Sequence, residues 1–249
     1  MACQSPPLIS AQFKMARRVK AEQASFRFVG WGGERDGAGR PKKKGAKLRH
    51  APRGPLATRY PAHVTLRTLP GAPNLRREAA YAAVERALGA IRDERADFRV
   101  VHFSVQTNHL HILAEASGAE ALSRGMQGLA IRIARGVNRA AGRSGKLWAD
   151  RFHARVLRSP REVRLAVCYV LQNTRRHATT ERELVDPSWI DPRSSGPWFD
   201  GWRSLPHGFD PPLGPPPTSP SQTWLLSRGW RRGGLIRVDE VPPAAFRER

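Results

Sequence analysis

The stretch Asn108-His109-Leu110-His111-Ile112-Leu113 decides how the rest of the chain is read. Residues two apart on a β-strand project from one face, so His109 and His111 stand side by side while Leu110 and Ile112 point the other way, into a core. Two imidazoles on a rigid strand suit one shared metal ion. Two half-exposed strand histidines account for the pair equally well. Upstream, Phe98 to Val105 alternates and predicts a second strand, with Val101, Phe103 and Val105 on one face and His102 turned away from it. Gln106-Thr107-Asn108 supplies a tight reversal. The histidines therefore belong to the return strand, His109 to Ala114, of an antiparallel hairpin.

Working outward, His63-Val64-Thr65-Leu66-Arg67 predicts a first strand and Pro70-Gly71-Ala72-Pro73 a turn. Leu75, Ala79, Ala82, Ala83, Leu88 and Ile91 recur at helical spacing and predict a helix from Asn74 to about Arg95. Leu122, Met126, Leu129, Ile133 and Val137 form the apolar stripe of a second helix, from about Gly118 to Ala141. Lys146 to His153 reads as a loop and Ala154-Arg155-Val156-Leu157 as a short fourth strand. Ser159-Pro160-Arg161-Glu162 then combines an N-cap serine, a proline at the first helical position and the glutamate of a capping box. In that third helix Val163, Ala166, Val167 and Val170 face the core, while Tyr169 and Asn173 lie one turn apart on another stripe. The order β-α-β-β-α-β-α predicts an α+β fold of ferredoxin-like plan, an antiparallel sheet with its helices on one face.

The 249 residues carry 43 Lys+Arg against 21 Asp+Glu, a net charge of +22. Such an imbalance favours a polyanionic partner, and nucleic acid is the commonest. No apolar run approaches the ~20 residues that span a bilayer, and Met1 to Lys20 lacks the apolar segment of a signal peptide. Cys3 and Cys168 form no CxxC, which excludes a disulfide framework or a zinc ribbon and points to a reducing, intracellular compartment. Residues 1–58 are rich in Gly, Pro and cations and predict a basic extension without a fold of its own. Within it, Arg40, Lys42, Lys43 and Lys44 are candidate DNA contacts, as an AT-hook-like segment in the minor groove or as a generic basic tail. Residues 59–180 form the predicted domain, and 181–205 a Trp-rich extension packing on it. Residues 206–249 read as a Pro-rich linker and a short terminal segment.

Two strand histidines, a helical tyrosine and an amide one turn beyond it suggest phosphoryl-transfer chemistry. From about Tyr60 to Arg176 the sequence resembles the REP-associated tyrosine transposases, single-tyrosine members of the HUH superfamily. The residues that carry the resemblance are Asn108-His109-Leu110-His111-Ile112-Leu113 and Tyr169-Val170-Leu171-Gln172-Asn173. Between them, Gly145-Lys146-Leu147-Trp148 through Phe152-His153 is similar to the family's connecting stretch. The resemblance implies Tyr169 as nucleophile, Mg²⁺ or Mn²⁺ held by His109, His111 and Asn173, and a covalent 5′-phosphotyrosine intermediate. It further implies a single-stranded DNA substrate bearing a repeat hairpin, a cytoplasmic, nucleoid-associated protein of bacterial type, and a homodimer, since members commonly work as dimers. Two positions depart from the family pattern: Thr107 and Thr174 stand where prolines are usual, and Thr174 leaves the helix free to run on through Arg175 and Arg176.

Trp148 is a candidate base-stacking residue or a core residue, and Arg151, Arg155 and Arg158 are candidate phosphate contacts or a solvated basic face. Two other function classes compete. One is a non-catalytic DNA-hairpin-binding module on the same fold, against which intact His109, His111 and Tyr169 speak. The other is an RNA-binding protein or ribonuclease, which has no need of Tyr169 and for which the RNA-recognition strand motif is missing.

Overall fold

The alternation around the two histidines forms the expected hairpin. β2 (Phe98–Val105) pairs antiparallel with β3 (His109–Ala116), and Gln106 N–H closes the turn on the His109 carbonyl at 2.8 Å. The structure is a computed structural model describing residues 54–181 and 184–242. Arg40, Lys42, Lys43 and Lys44 lie outside the described residues. On its other edge β3 pairs with β1 (Ala62–Arg67), which in turn pairs with β4 (His153–Val156). The result is a four-stranded antiparallel sheet in the order β2-β3-β1-β4 within an α+β architecture.

One face of the sheet is apolar throughout. Val64 and Leu66 of β1, Phe98, Val100, Phe103 and Val105 of β2, and Leu110, Ile112 and Ala114 of β3 are all buried there. They pack under α1 (Glu78–Glu94) and α2 (Ala119–Ala140), whose inward stripes include Val84, Leu88 and Ile91, and Leu122, Met126, Leu129, Ile133 and Val137. Gly125 sets how closely α2 approaches: a Cβ there would lie 2.2 Å from the Phe98 ring. A larger residue would push the helix off the sheet.

The second face corrects two expectations. A β-bulge between Val100 and His102 shifts the phase of β2, so Val101 turns away from Phe103 and Val105 instead of sharing their face. With Leu113 of β3 it makes an apolar patch on that side. α3 (Pro160–Leu171) covers it through Val163, Ala166, Val167 and Val170, so the helices occupy both faces of the sheet rather than one. The start of α3 matches its sequence signature: the Ser159 hydroxyl accepts from Glu162 N–H and the Glu162 carboxylate from Ser159 N–H, both at 3.2 Å. Such a cap contributes ~1 kcal/mol.

The chain beyond α4 (Asn173–Glu181) wraps this second core. Phe199 and Trp202 are buried against α3, as are Leu225 and Leu226 of the short α5 (Trp224–Ser227), Trp230, Ile236 and Val238. The proline-rich stretch is docked rather than a free linker: Pro217, Thr218 and Ser219 are buried, and Ser219 N–H bonds the Val100 carbonyl on edge strand β2 at 2.8 Å. Glu115, fully buried at the end of β3, anchors the start of the terminal segment. Its carboxylate pairs with Arg99 at 3.2 Å and accepts from Gln222 N–H at 2.9 Å and from the Thr223 N–H and hydroxyl at 2.8 Å each. Among the described residues no helix is long and apolar enough to cross a membrane.

Candidate active site

Beside the Val101–Leu113 patch, the same face of the sheet is polar. Register places Thr65 opposite His111 and Arg67 opposite His109, so His63, Thr65 and Arg67 of β1 share a face with both histidines of β3. The His111 Nδ1 lies 3.2 Å from His63 Nε2 and 3.2 Å from the Thr65 hydroxyl, which fixes the ring. The His109 Nδ1 lies 2.8 Å from the side-chain oxygen of Asn108, an acceptor, so Nδ1 carries the proton and Nε2 is the basic nitrogen. The two rings stand 4.7 Å apart, centroid to centroid. Burial holds the His111 imidazolium well below the usual histidine range, and the positive charge of His63, His109, His177 and Arg67 adds to the effect.

The helix above supplies the other half. α3 gives way to α4 at Gln172, whose φ of −107° and ψ of 20° mark a local irregularity. Helical hydrogen bonding nevertheless continues, from Gln172 N–H to Cys168 O at 2.9 Å and from Arg176 N–H to Gln172 O at 3.0 Å. With threonine rather than proline at 174, the helix runs on through Arg175 and Arg176. Tyr169, Asn173 and His177 consequently line one stripe, each one turn from the next. The Tyr169 ring stands edge-on to His111 at 5.1 Å and to His63 at 5.7 Å, and the His177 ring is 5.9 Å from that of His109. Asn173, midway along the stripe, therefore lies over the histidine pair.

Its side chain is distinctive. Asn173 is fully buried, and neither its Oδ1 nor its Nδ2 has a hydrogen-bond partner among the described residues. Its neighbours are all engaged. The Gln172 amide donates to the Val238 carbonyl at 2.5 Å, and the Thr174 hydroxyl donates to the Asp191 carboxylate at 2.6 Å. Arg175 donates to the carbonyls of Val185, Asp186 and Trp189, and Arg176 to that of Pro242. A buried amide left unpaired costs ~1–3 kcal/mol, a cost that an ordered water, an ion or a ligand at this position would relieve.

The donor set fits a divalent cation. Two imidazoles, each oriented through its Nδ1, lie beneath the helical stripe that carries Asn173, whose amide oxygen has no hydrogen-bond partner among the described residues. Among the described residues no three His, Cys, Asp or Glu side chains form a metal-holding group, so the set would rest on two imidazoles and the Asn173 amide.

Of the basic candidates, Arg155 lies opposite His63 in the β1–β4 register, on the face of the site, exposed and 3.2 Å from Glu162. Arg151 and Arg158 are exposed on either side of β4. Arg176 stands over the Tyr169 ring at 5.8 Å. Trp148 takes the core alternative: it is buried on the α1/α2 side, and its indole N–H donates to the Ala130 carbonyl at 2.9 Å. Sequence reasoning missed His177, although its spacing from Tyr169 and Asn173 gave the signal. It also set His63 apart from the site, although His63-Val64-Thr65-Leu66-Arg67 alternates so as to place His63 with Thr65.

No protein-family profile and no curated protein matches the chain. Among solved structures, it is similar to a REP-associated tyrosine transposase bound to a REP hairpin. That similarity has 17% sequence identity and a TM-score of 0.46, and covers 59% of this chain and 82% of the other.

Proposed function

We propose that this protein cleaves and rejoins hairpin-bearing single-stranded DNA through a covalent 5′-phosphotyrosine at Tyr169, on a ferredoxin-like frame. The observation that carries the reading is the orphaned, fully buried amide of Asn173, set between Tyr169 and His177 over the histidine pair. The residues match those through which the sequence resembles REP-associated tyrosine transposases.

A divalent cation, Mg²⁺ or Mn²⁺, held by His109, His111 and the Asn173 amide oxygen would supply Lewis-acid polarisation of the scissile phosphate. The remaining work falls to the chain's own groups. Tyr169, its ring fixed by His111 and His63, presents the phenol oxygen from a rigid helix. The Arg176 guanidinium places positive charge 5.8 Å from the ring centroid, where phenolate charge would develop. Tyr169 gives its phenol proton to solvent, its oxygen bonds to phosphorus, and the bond from phosphorus to the 3′ oxygen breaks, that oxygen taking a proton from solvent. The ester energy is retained in the phosphotyrosine, so a DNA 3′-hydroxyl reverses the step without ATP. Arg67, Arg155 and Arg158 supply cations along the approach to the site, in keeping with the net charge of +22.

The test is a trapping assay. Wild-type and Tyr169→Phe protein are mixed with 5′- and 3′-labelled single-stranded hairpin DNA and Mn²⁺ and run on a denaturing gel. A denaturant-resistant adduct to the 3′ fragment in wild type alone, lost with chelator, is the expected result. Tight binding without an adduct across a panel of hairpins would instead identify a recognition module that performs no strand transfer.

A further inference from the structure

We infer that Asp191 is a positioning residue for Asn173, acting through the Thr174 hydroxyl. The inference rests on the proposed role of Asn173 as a metal ligand and concerns how that ligand is held.

Asn173 opens α4 just after Gln172, the irregular residue at the junction with α3. A side-chain hydrogen bond holds this junction. Thr174 Oγ1 donates to Asp191 Oδ2 at 2.6 Å, and Asp191 is 2% exposed. The carboxylate is itself fixed. Arg76 grips both its oxygens, each at 2.9 Å, and Arg193 N–H donates to Oδ1 at 2.8 Å. A bidentate arginine leaves a carboxylate little rotational freedom.

The same clamp reaches the histidine strand. Arg76 Nη1 also donates to the Val105 carbonyl at 2.7 Å, at the end of β2, and the neighbouring Gln106 bonds His109 across the turn at 2.8 Å. The Gln106 side chain lies 3.4 Å from the Thr174 hydroxyl. One ion pair, its carboxylate buried and its arginine half-buried, thus ties together the mount of His109 and the mount of Asn173, which come from segments far apart in sequence. Groups behind metal ligands characteristically change metal affinity ~10–100-fold when removed.

The test uses Mn²⁺ as its probe, titrated into the full-length protein without DNA and followed by the electron paramagnetic resonance of the free ion. Thr174→Val keeps the shape of the side chain and the Arg76–Asp191 pair but removes the hydroxyl. It is expected to weaken Mn²⁺ binding ~10-fold or more, with a metal-free melting temperature within about 4 °C of wild type. Thr174→Ser, which keeps the hydroxyl, should restore the affinity. Asp191→Asn should weaken Mn²⁺ binding as Thr174→Val does, with a lower melting temperature because it unbalances a buried pair. Wild-type affinity in Thr174→Val, or equal weakening in the valine and serine variants, overturns the inference and leaves the ligand set standing. Failure of the wild-type protein to bind Mn²⁺ overturns the ligand set and the inference together.

Discussion

The ring of Tyr169 stands edge-on to that of His111, centroid to centroid 5.1 Å and at 77°. The contact is made by the aromatic body of the side chain and does not require the hydroxyl. Tyr169→Phe should therefore keep its packing, with stability within ~1 kcal/mol of wild type. It should lose the covalent DNA adduct altogether. Urea unfolding beside the trapping gel separates the two effects, and an adduct surviving in the phenylalanine variant would mean another nucleophile.

His63 engages His111 Nδ1 through its own Nε2. His63→Ala should reduce strand-transfer rate and Mn²⁺ affinity ~10-fold or more, because the His111 ring loses one of the two partners that aim it. His63→Gln, which can place an amide in the same position, should recover part of the loss. Single-turnover cleavage as a function of Mn²⁺ concentration reads both. A variant with unaltered metal dependence would make the contact a packing detail.

Glu115 holds the chain's C-terminal wrap from inside the fold. Glu115→Ala leaves Arg99 and the backbone N–H groups of Gln222 and Thr223 without their shared acceptor. Breaking a buried pair in this way costs ~3–5 kcal/mol. Limited proteolysis should then cut first between Pro216 and Thr223, at protease levels that leave wild type intact. Equal resistance in the variant would contradict the anchoring role.

His102 lies under the same wrap, against the Phe199 ring and 3.3 Å from the Ser195 hydroxyl. Burial lowers its pKa from 6.5 to about 4, and the Asp200 carboxylate opposes the shift only in part. A depressed histidine binds its proton more readily in the unfolded chain. Its contribution is fully present above about pH 6.5 and is lost as pH falls towards 4, at up to ~1.4 kcal/mol per pH unit. His111 is shifted in the same direction and adds to the slope. Urea midpoints at pH 7 and pH 5 measure it, and His102→Asn should flatten the dependence. A slope equal to that of wild type would assign it elsewhere.

Cys168 is fully buried beside Glu240, and burial together with that carboxylate pushes the thiol's pKa far up. In a Cys3→Ser background, a thiol reagent at pH 8 should react only after denaturant is added. Prompt labelling of the folded protein would mean that the terminal segment detaches readily.

Much of the fold was legible because periodicity encodes which side of an element is wet. The hairpin, the two helices of the first layer and the capped start of α3 all derive from local spacing and capping chemistry. The face of Val101 was not legible, because a bulge inserts one residue and inverts the alternation after it without any glycine to mark the place. The second helical layer was missed for the same reason, since the patch that α3 covers exists only once Val101 and Leu113 are on one side. At the site, the histidine pair, Tyr169 and Asn173 were readable as a pattern of spacings. Asp191 was not: it meets Thr174 through tertiary packing, and an Asp-Pro in a region rich in turn residues reads as a loop. Trp148 was ambiguous because indoles serve cores and bases equally well, and only its bond to Ala130 decides between them.

The bracing of the Tyr169 helix also has a consequence in time. Gln172 is held by Val238 and Arg176 by Pro242, so the junction around Asn173 takes its final bonds from residues 66 positions further along the chain. A ribosome working at ~5–20 residues per second needs roughly 3 to 14 s to pass from Asn173 to Pro242. For that interval the helix that carries Tyr169 lacks these two braces, so synthesis itself delays the final assembly of the candidate site.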